Sequence, residues 1–191
     1  ATAVATLAAT DSDTADSGGL TYSITTDDPG SGTQFAVSGT ALTIAAQDYE
    51  NPACGGSSDS RTCVVVLAAT DAANTATAHT ITVTITDTND QAPSWTTSAT
   101  ANVAEGATAV ATLAATDTDT ADSGGLTYAI TTDDPGSGTQ FAVSGTALTI
   151  AAQNYEAPAC GAGSDSLTCV VVLSATDAAN TATAHTITVT I

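Results

Sequence analysis

The residues of this chain whose types could do chemistry are its acids, which recur in short clusters. Asp11 and Asp13 flank a single residue, Asp117 and Asp119 repeat that spacing, and Glu50 ends an Asp-Tyr-Glu triplet. The 191 residues contain 20 acids and one Lys or Arg, a formal net charge of −19 at pH 7. Two carboxylates about 4 Å apart repel by roughly 4 kcal/mol at an effective dielectric of 20. Such clusters favour a hard dication, which takes oxygen ligands from carboxylates, amides and carbonyls.

The same acids admit a simpler interpretation, which is a solvated surface that keeps the protein soluble. Turns also favour Asp for conformational reasons of their own. We expect this role for the acids in the turn sequences rich in Gly, Ser and Pro. These acids are Asp16, Asp27, Asp28 and Asp59, with Asp122, Asp133, Asp134 and Asp165.

The charge and the missing motifs exclude several classes of function. Arg61 is the only Lys or Arg, and without cations a chain has no means of binding nucleic-acid phosphates or an anionic membrane surface. No apolar run approaches the roughly 18 residues that would span a bilayer, so direct membrane insertion is not expected. His79 and His185 lie on the inward face of an alternating pattern, and no nucleophile motif accompanies them. The sequence therefore predicts a protein that is not an enzyme.

Four cysteines form two equivalent pairs, each separated by eight residues rich in Gly, Ser and Asp: Cys54 with Cys63, and Cys160 with Cys169. One pair of cysteines in each repeat, separated by a loop that can fold back, predicts two local disulfides. Disulfides in turn predict a location outside the cytoplasm. Zinc would require further Cys or His ligands near each pair. The spacing also differs from that of a redox-active Cys-x-x-Cys pair.

An internal repeat organises the chain. Residues 1–85 align without a gap on residues 107–191 and differ at eight positions. Residues 86–106 occur once. We expect repeat 1 over residues 1–86 without its opening strand, a linker over 87–93 and repeat 2 over 94–191. A window on a longer tandem array is the simplest origin of this pattern.

Within each repeat the local pattern predicts β-strands. In residues 75–85 Thr alternates with His79, Ile81, Val83 and Ile85, a period of two that is typical of a half-buried strand. Frequent β-branched Thr argues against helix, although Ala would permit it. Several short strands separated by Gly- and Pro-containing turns predict an all-β fold, a Greek-key sandwich.

The acid clusters follow these strands, and a sandwich gathers strand ends at two poles. If the repeats run head to tail, one pole of repeat 1 meets the opposite pole of repeat 2 at the linker. We expect oxygen ligands from both repeats and from the linker to converge there. The acids are Asp48, Glu50, Asp90, Asp117, Asp119 and Asp177, with Asn89 and the carbonyls of Thr88 and Gln91.

The order of these motifs resembles the cadherin repeat over the whole chain. That family has a Glu on the first strand, Asp-x-Asp after the second, Asp-x-Glu mid-domain and Ala-x-Asp near the end. Its linker, Asp-x-Asn-Asp-Asn-x-Pro-x-Phe, is similar to residues 87–95 here, with Gln91 replacing the last Asn and Trp95 the aromatic residue. The near-identical repeats rich in Thr and Ala look more like bacterial surface arrays than animal cadherins.

The resemblance implies Ca²⁺ as the cofactor, three ions at each junction and a stiff rod. It would place Asp48, Glu50 and Asp90 on the ions nearer repeat 1. Asn89, Asp117, Asp119 and Asp177 would bind the ion nearer repeat 2, with the Ser123 carbonyl as a weaker candidate. Asp11, Asp13 and Asp71 would face the preceding junction. Glu105, Asn154 and Glu156 would face the following one, where Asn154 replaces an Asp and weakens binding.

These inferences predict a non-catalytic, extracellular or cell-surface stalk or fibre segment, stiffened by calcium, that acts in adhesion or surface assembly. Its partners would be neighbouring repeats of the same array, with self-association into fibres as a further possibility. Two alternatives remain open at this point. One is a directly adhesive module that binds itself, glycan or ice. The other is a subunit of an extracellular filament that a neighbour's strand completes.

Overall fold

A computed structural model describes residues 1–12, 19–28, 33–54, 61–71, 74–76, 78–119, 125–134, 139–160 and 167–191. These residues form two compact units, Ala1–Asp87 and Thr88–Ile191. Every regular element among them is a β-strand. No helix in this described part of the chain is long and apolar enough to cross a membrane. Asp13, Asp16, Asp59, Asp122, Ser123 and Asp165 lie outside the described residues.

The first unit consists of two three-stranded sheets. One sheet has the order β1-β4-β3 and the other the order β2-β5-β6, with antiparallel pairing throughout. The strands are β1 Thr2–Thr6, β2 Thr21–Asp27, β3 Phe35–Ser38, β4 Ala41–Ile44, β5 Thr62–Thr70 and β6 His79–Thr84.

The second unit repeats this plan and adds three short strands. Its sheets have the orders β12-β13-β9, β11-β14-β15-β8 and β10-β7. The strands are β7 Ser94–Trp95, β8 Thr100–Asn102, β9 Ala109–Thr112, β10 Ala115–Thr116, β11 Thr127–Asp133, β12 Phe141–Ser144, β13 Ala147–Ile150, β14 Thr168–Thr176 and β15 His185–Thr190. Strand β8 pairs with β15 in parallel, the only parallel pairing among the described strands.

The two main sheets of each unit enclose one apolar core, as the alternating pattern predicts. Val171 and Leu173 from one sheet pack with Leu148 and Phe141 from the other, and all four are buried. The second unit is therefore a β-sandwich. The equivalent side chains form the core of the first unit. The prediction of an all-β sandwich is confirmed.

A disulfide ties a loop to the longest strand of each unit. Cys54 is bonded to Cys63 on β5, and Cys160 is bonded to Cys169 on β14, with 5.2 Å between the Cα atoms of each pair. All four residues are buried in the cores. The predicted pairing is confirmed. In the first unit the bond joins the segment after β4 to β5, and in the second unit it joins the segment after β13 to β14.

Removing one disulfide should destabilise its unit. Closing a loop of this length restricts the unfolded chain, which corresponds to about 2–3 kcal/mol of stability. We expect Cys160→Ala/Cys169→Ala to lower the free energy of unfolding of the second unit by about that amount, measured by urea denaturation under oxidising conditions. Cys54→Ala/Cys63→Ala is the matched variant in the first unit. An unchanged transition in both double variants would contradict this account.

Candidate metal centre

Two strand ends bring three acids together at one end of the second unit. Asp117 directly follows β10, Asp119 comes two residues later, and Asp177 directly follows β14. Carboxylate oxygens from these three residues lie within 4.8 Å of one another. Asp119 is fully buried, Asp177 is 6% exposed and Asp117 is half-buried. The structure thus brings these three acids together, and their shared role as ligands stays a prediction.

Two of the four carboxylate oxygens of Asp117 and Asp119 accept hydrogen bonds. The Asp119 N–H donates to Asp117 Oδ1 at 3.0 Å, and the Gln91 N–H donates to Asp119 Oδ2 at 2.8 Å. Asp117 Oδ2 and Asp119 Oδ1 are buried and have no hydrogen-bond partner among the described residues. A buried carboxylate oxygen without a partner is costly. A cation that both oxygens contact would remove that cost.

Asp177 is held by the turn that follows it. The N–H groups of Ala179 and Asn180 both donate to its Oδ1, at 2.6 and 2.5 Å. Burial by itself would raise the pKa of Asp177, but these hydrogen bonds, with those from the Asn180 and Asn89 side chains, outweigh it and lower the pKa. Asp177 is therefore ionised at neutral pH.

The segment that leads into the second unit adds amide groups to this end. The Asn180 side-chain amide donates to Asn89 Oδ1, which links Asn89 to the turn of Asp177. Gln91 reaches Asp119 through its backbone, so its side chain is not needed for that contact. That side chain instead donates to Asp90 Oδ1 at 2.7 Å, and Asp90 is exposed. Thr88 is exposed as well.

Glu105, Asn154 and Glu156 lie at the opposite end of the second unit. Strand β15 runs antiparallel to β14, and β8 runs parallel to β15, so Glu105 after β8 is remote from Asp177 after β14. The Gly106 N–H donates to the Gln153 carbonyl at 3.0 Å, which holds the Glu105 turn beside the Asn154 segment. Gly106 has φ of 74°, a conformation that favours glycine. All three candidate ligands are exposed.

In the first unit, the structure adds one acid that the sequence analysis did not assign as a ligand. Carboxylate oxygens of Glu50 and Asp87 lie within 4.8 Å of one another, and both residues are half-buried. Asp87 is the first acid of the linker motif, so its position in that motif could have identified it. Asp48 is exposed, and its Oδ1 accepts the N–H groups of Glu50 and Asn51.

The other end of the first unit has the same plan as the acid cluster of the second. Asp11 and Asp71 line one open cavity of about 370 Å³, together with Asn74. Asp71 accepts hydrogen bonds from the backbone and side chain of Asn74, as Asp177 does from Asn180. The ligand roles predicted for Asp11 and Asp71 stay predictions, as do those of Asp13 and Ser123 outside the described residues.

Two turn acids contradict the expectation of a solvated surface. Asp28 and Asp134 are 1% and 2% exposed. Asp28 Oδ1 accepts the Val64 N–H at 2.7 Å, and Asp134 Oδ1 accepts the Val170 N–H at 2.8 Å. These acids satisfy backbone donors of β5 and β14, so their role is structural. Sequence alone did not reveal this, because the partner lies 36 residues away.

The donor set at the end of the second unit is made of oxygen atoms. The set consists of the carboxylates of Asp117, Asp119 and Asp177, together with the side-chain oxygen of Asn89. No Lys or Arg occurs in residues 88–191. Oxygen ligands of this kind suit a hard divalent cation, whereas zinc prefers sulfur and nitrogen. The residues present therefore fit such a cation.

Neutralising one acid should stabilise the second unit when metal is absent. We expect Asp117→Asn to raise Tm in excess EDTA, because it removes repulsion that amounts to roughly 1–3 kcal/mol between charges at this separation. Differential scanning calorimetry measures the change. Asp165→Asn removes the same charge at a position without an assigned ligand role and should leave Tm nearly unchanged. A lower Tm for Asp117→Asn in EDTA would show that its charge is compensated within the protein.

Comparison with known proteins identifies the fold. No family model and no curated protein matches the sequence. Among solved structures, two crystal structures of human protocadherin-24 EC1-2 match 97% and 98% of this chain and 85% and 87% of theirs. Their TM-scores are 0.70 and 0.73, at 19% and 18% identity. The human desmocollin-1 ectodomain matches all of this chain and 38% of its own, with a TM-score of 0.68 at 19% identity. The chain thus has the fold of cadherin ectodomain repeats, as its motifs predicted.

Proposed function

We propose that this chain is a non-catalytic, calcium-binding structural segment of an extracellular protein, a stalk or fibre that acts in adhesion or surface assembly. One observation carries the proposal. Asp117 and Asp119 bury two carboxylate oxygens without hydrogen-bond partners among the described residues, beside the carboxylate of Asp177. Such a site is stable around a cation and strained without one.

Calcium is the cation that this ligand chemistry favours. Ca²⁺ accepts carboxylate, amide and carbonyl oxygens in a flexible arrangement, whereas Mg²⁺ demands near-octahedral geometry and retains several waters. Asn89, Asp117, Asp119 and Asp177 would hold the ion in the second unit. Glu50 and Asp87 in the first unit, with Glu105 and Glu156 in the second, are further ligands of the same class.

Two features support an extracellular setting. The buried disulfides Cys54–Cys63 and Cys160–Cys169 belong to an oxidising environment. The similar solved structures include an extracellular domain of protocadherin gammaB4 and the ectodomain of desmocollin-1.

A structural rather than catalytic role also accounts for His185, whose ring stacks on Trp95 with centroids 4.8 Å apart.

A stalk role follows from placing charge clusters at the two ends of a sandwich. Calcium bound at a strand end restrains the chain segment that enters the unit, because Gln91 and Asn89 are already tied to the acids there. The roles of Asp48, Asp90 and Thr88 at a shared junction stay predictions. So does the bacterial origin that the composition suggests.

Calorimetric titration with CaCl₂ tests the proposal. The unmodified chain should release or absorb heat with saturation at or below millimolar calcium. Asp119→Asn should weaken at least one site tenfold or more, because it replaces a ligand oxygen and a charge. Asp165→Asn is the control for net charge and should bind as the unmodified chain does. Equal titrations for all three proteins, or no saturation at millimolar calcium, would contradict calcium binding at this site.

Small-angle scattering tests the stalk role separately. Matched samples in EDTA and in saturating calcium should differ, with a larger radius of gyration in calcium if the bound ions stiffen the chain. Asp119→Asn should reduce that difference. Calcium uptake with identical scattering profiles would retain a calcium site and reject its stiffening role.

A further inference from the structure

The only Lys or Arg of the chain, Arg61, belongs to the first unit and contacts a segment that carries acids. Its guanidinium carbon lies 4.4 Å from the ring centroid of Tyr49. Tyr49 directly precedes Glu50, whose carboxylate lies within 4.8 Å of that of Asp87. Glu50 and Asp87 are called the acid pair below. The single arginine thus contacts the residue next to one member of this pair.

Two further connections hold Arg61 near both members of the acid pair. The Arg61 carbonyl accepts the Ile85 N–H at 2.8 Å, and Asp87 follows Ile85 by two residues. The disulfide Cys54–Cys63, with 5.2 Å between its Cα atoms, joins the segment that follows Glu50 to the strand that begins directly after Arg61. Backbone, disulfide and ring contact therefore keep the guanidinium at the end of the unit where the acid pair lies.

A guanidinium held in this way keeps its full charge. Arginine stays protonated in folded proteins, and its planar group stacks on aromatic faces. The quadrupole of the ring attracts the cation without neutralising it. Arg61, Glu50 and Asp87 are all half-buried, so salt and water screen the attraction among them less than they would on an open surface. The charge of Arg61 therefore opposes the repulsion within the acid pair.

We propose that Arg61 is a built-in counter-ion for the acid pair, which stabilises the first unit when no metal is bound and competes with calcium for Glu50 and Asp87. The first effect depends on the protein alone, whereas the competition rests on the proposed function. A cation that binds the acid pair lies near the guanidinium, and the two positive charges repel each other. Arg61 should therefore weaken calcium binding at this pair and make the unit less dependent on calcium.

The second unit supplies a matched substitution. Leu167 occupies the position equivalent to Arg61, and its carbonyl accepts the Ile191 N–H at 2.9 Å as that of Arg61 accepts the Ile85 N–H. The same backbone arrangement therefore accommodates either side chain, so Arg61→Leu should fold. The double variant Arg61→Leu/Leu167→Arg, called the swap variant, moves the arginine to the other unit and leaves the net charge at −19.

Amide hydrogen exchange in excess EDTA tests the counter-ion without metal. We expect Arg61→Leu to speed the exchange of β5 amides about threefold or more, because the repulsion within the acid pair is no longer opposed. Exchange of β14 in the second unit should not change. The two strands differ in sequence at Ala68 and Ser174, so mass spectrometry distinguishes their peptides.

Two further variants show whether the effect is local to the acid pair. The swap variant should speed β5 exchange as Arg61→Leu does, because the arginine has left the acid pair although the net charge is unchanged. In a Glu50→Gln background, Arg61→Leu should have a much smaller effect, since one of the two acids is already neutral. Normal β5 exchange in the swap variant would assign the effect to overall charge and overturn the proposal. An equal effect of Arg61→Leu with and without Glu50→Gln would assign it to packing on Tyr49 and also overturn the proposal.

Calorimetric titration with CaCl₂ tests the competition. Arg61→Leu should raise the calcium affinity of the site that Glu50→Gln weakens, by about threefold or more, because the bound ion no longer meets a fixed positive charge. In the Glu50→Gln background the same substitution should leave the remaining affinities unchanged. Equal or weaker calcium binding by Arg61→Leu would overturn the competition. If the unmodified chain bound no calcium, the proposed function and the competition would both fail, whereas the exchange rates in EDTA would still support or overturn the counter-ion.

Discussion

The structure depends above all on how carboxylates can be buried where basic side chains are absent. Asp119 has no exposed surface, and Asp177 has almost none, yet the second unit contains no Lys or Arg. Backbone N–H groups and side-chain amides satisfy some of the oxygens, which keeps Asp177 ionised. Two oxygens of the cluster remain without partners among the described residues. Under the proposed function a bound cation would supply the remaining attraction, and this links the acids to function.

Not every buried acid in this chain has that role. Asp28 and Asp134 are as buried as the cluster acids, but each accepts a backbone N–H from the neighbouring long strand. Asp27 and Asp133 similarly accept the N–H groups that open β3 and β12. These carboxylates accept hydrogen bonds from backbone N–H groups of other strands, so they stabilise the sandwich. What distinguishes the acid cluster is that Asp117 and Asp119 each bury an oxygen without a hydrogen-bond partner among the described residues.

The repeated sequence shows how far local pattern determines burial. The alternating pattern of residues 79–84 predicts a half-buried strand, and β6 has that character. The same residues in β15 are more deeply buried, since β8 and Trp95 cover them. Local sequence therefore specifies which face of a strand turns inward. How completely that face is covered depends on strands contributed from elsewhere in the chain.

The sequence by itself determined the β-class, the inward faces, the cysteine pairs and the acids that follow strands, because each depends on short-range spacing or composition. It also predicted, through motifs in a recurring order, that Asp117, Asp119 and Asp177 belong to one site, and that assignment stays a prediction. Only the tertiary structure decided the pairing of Asp87 with Glu50, the structural role of Asp28 and the packing of Trp95 against Tyr128 and His185. These features join residues far apart in sequence, and their energies arise from contacts that no local pattern encodes.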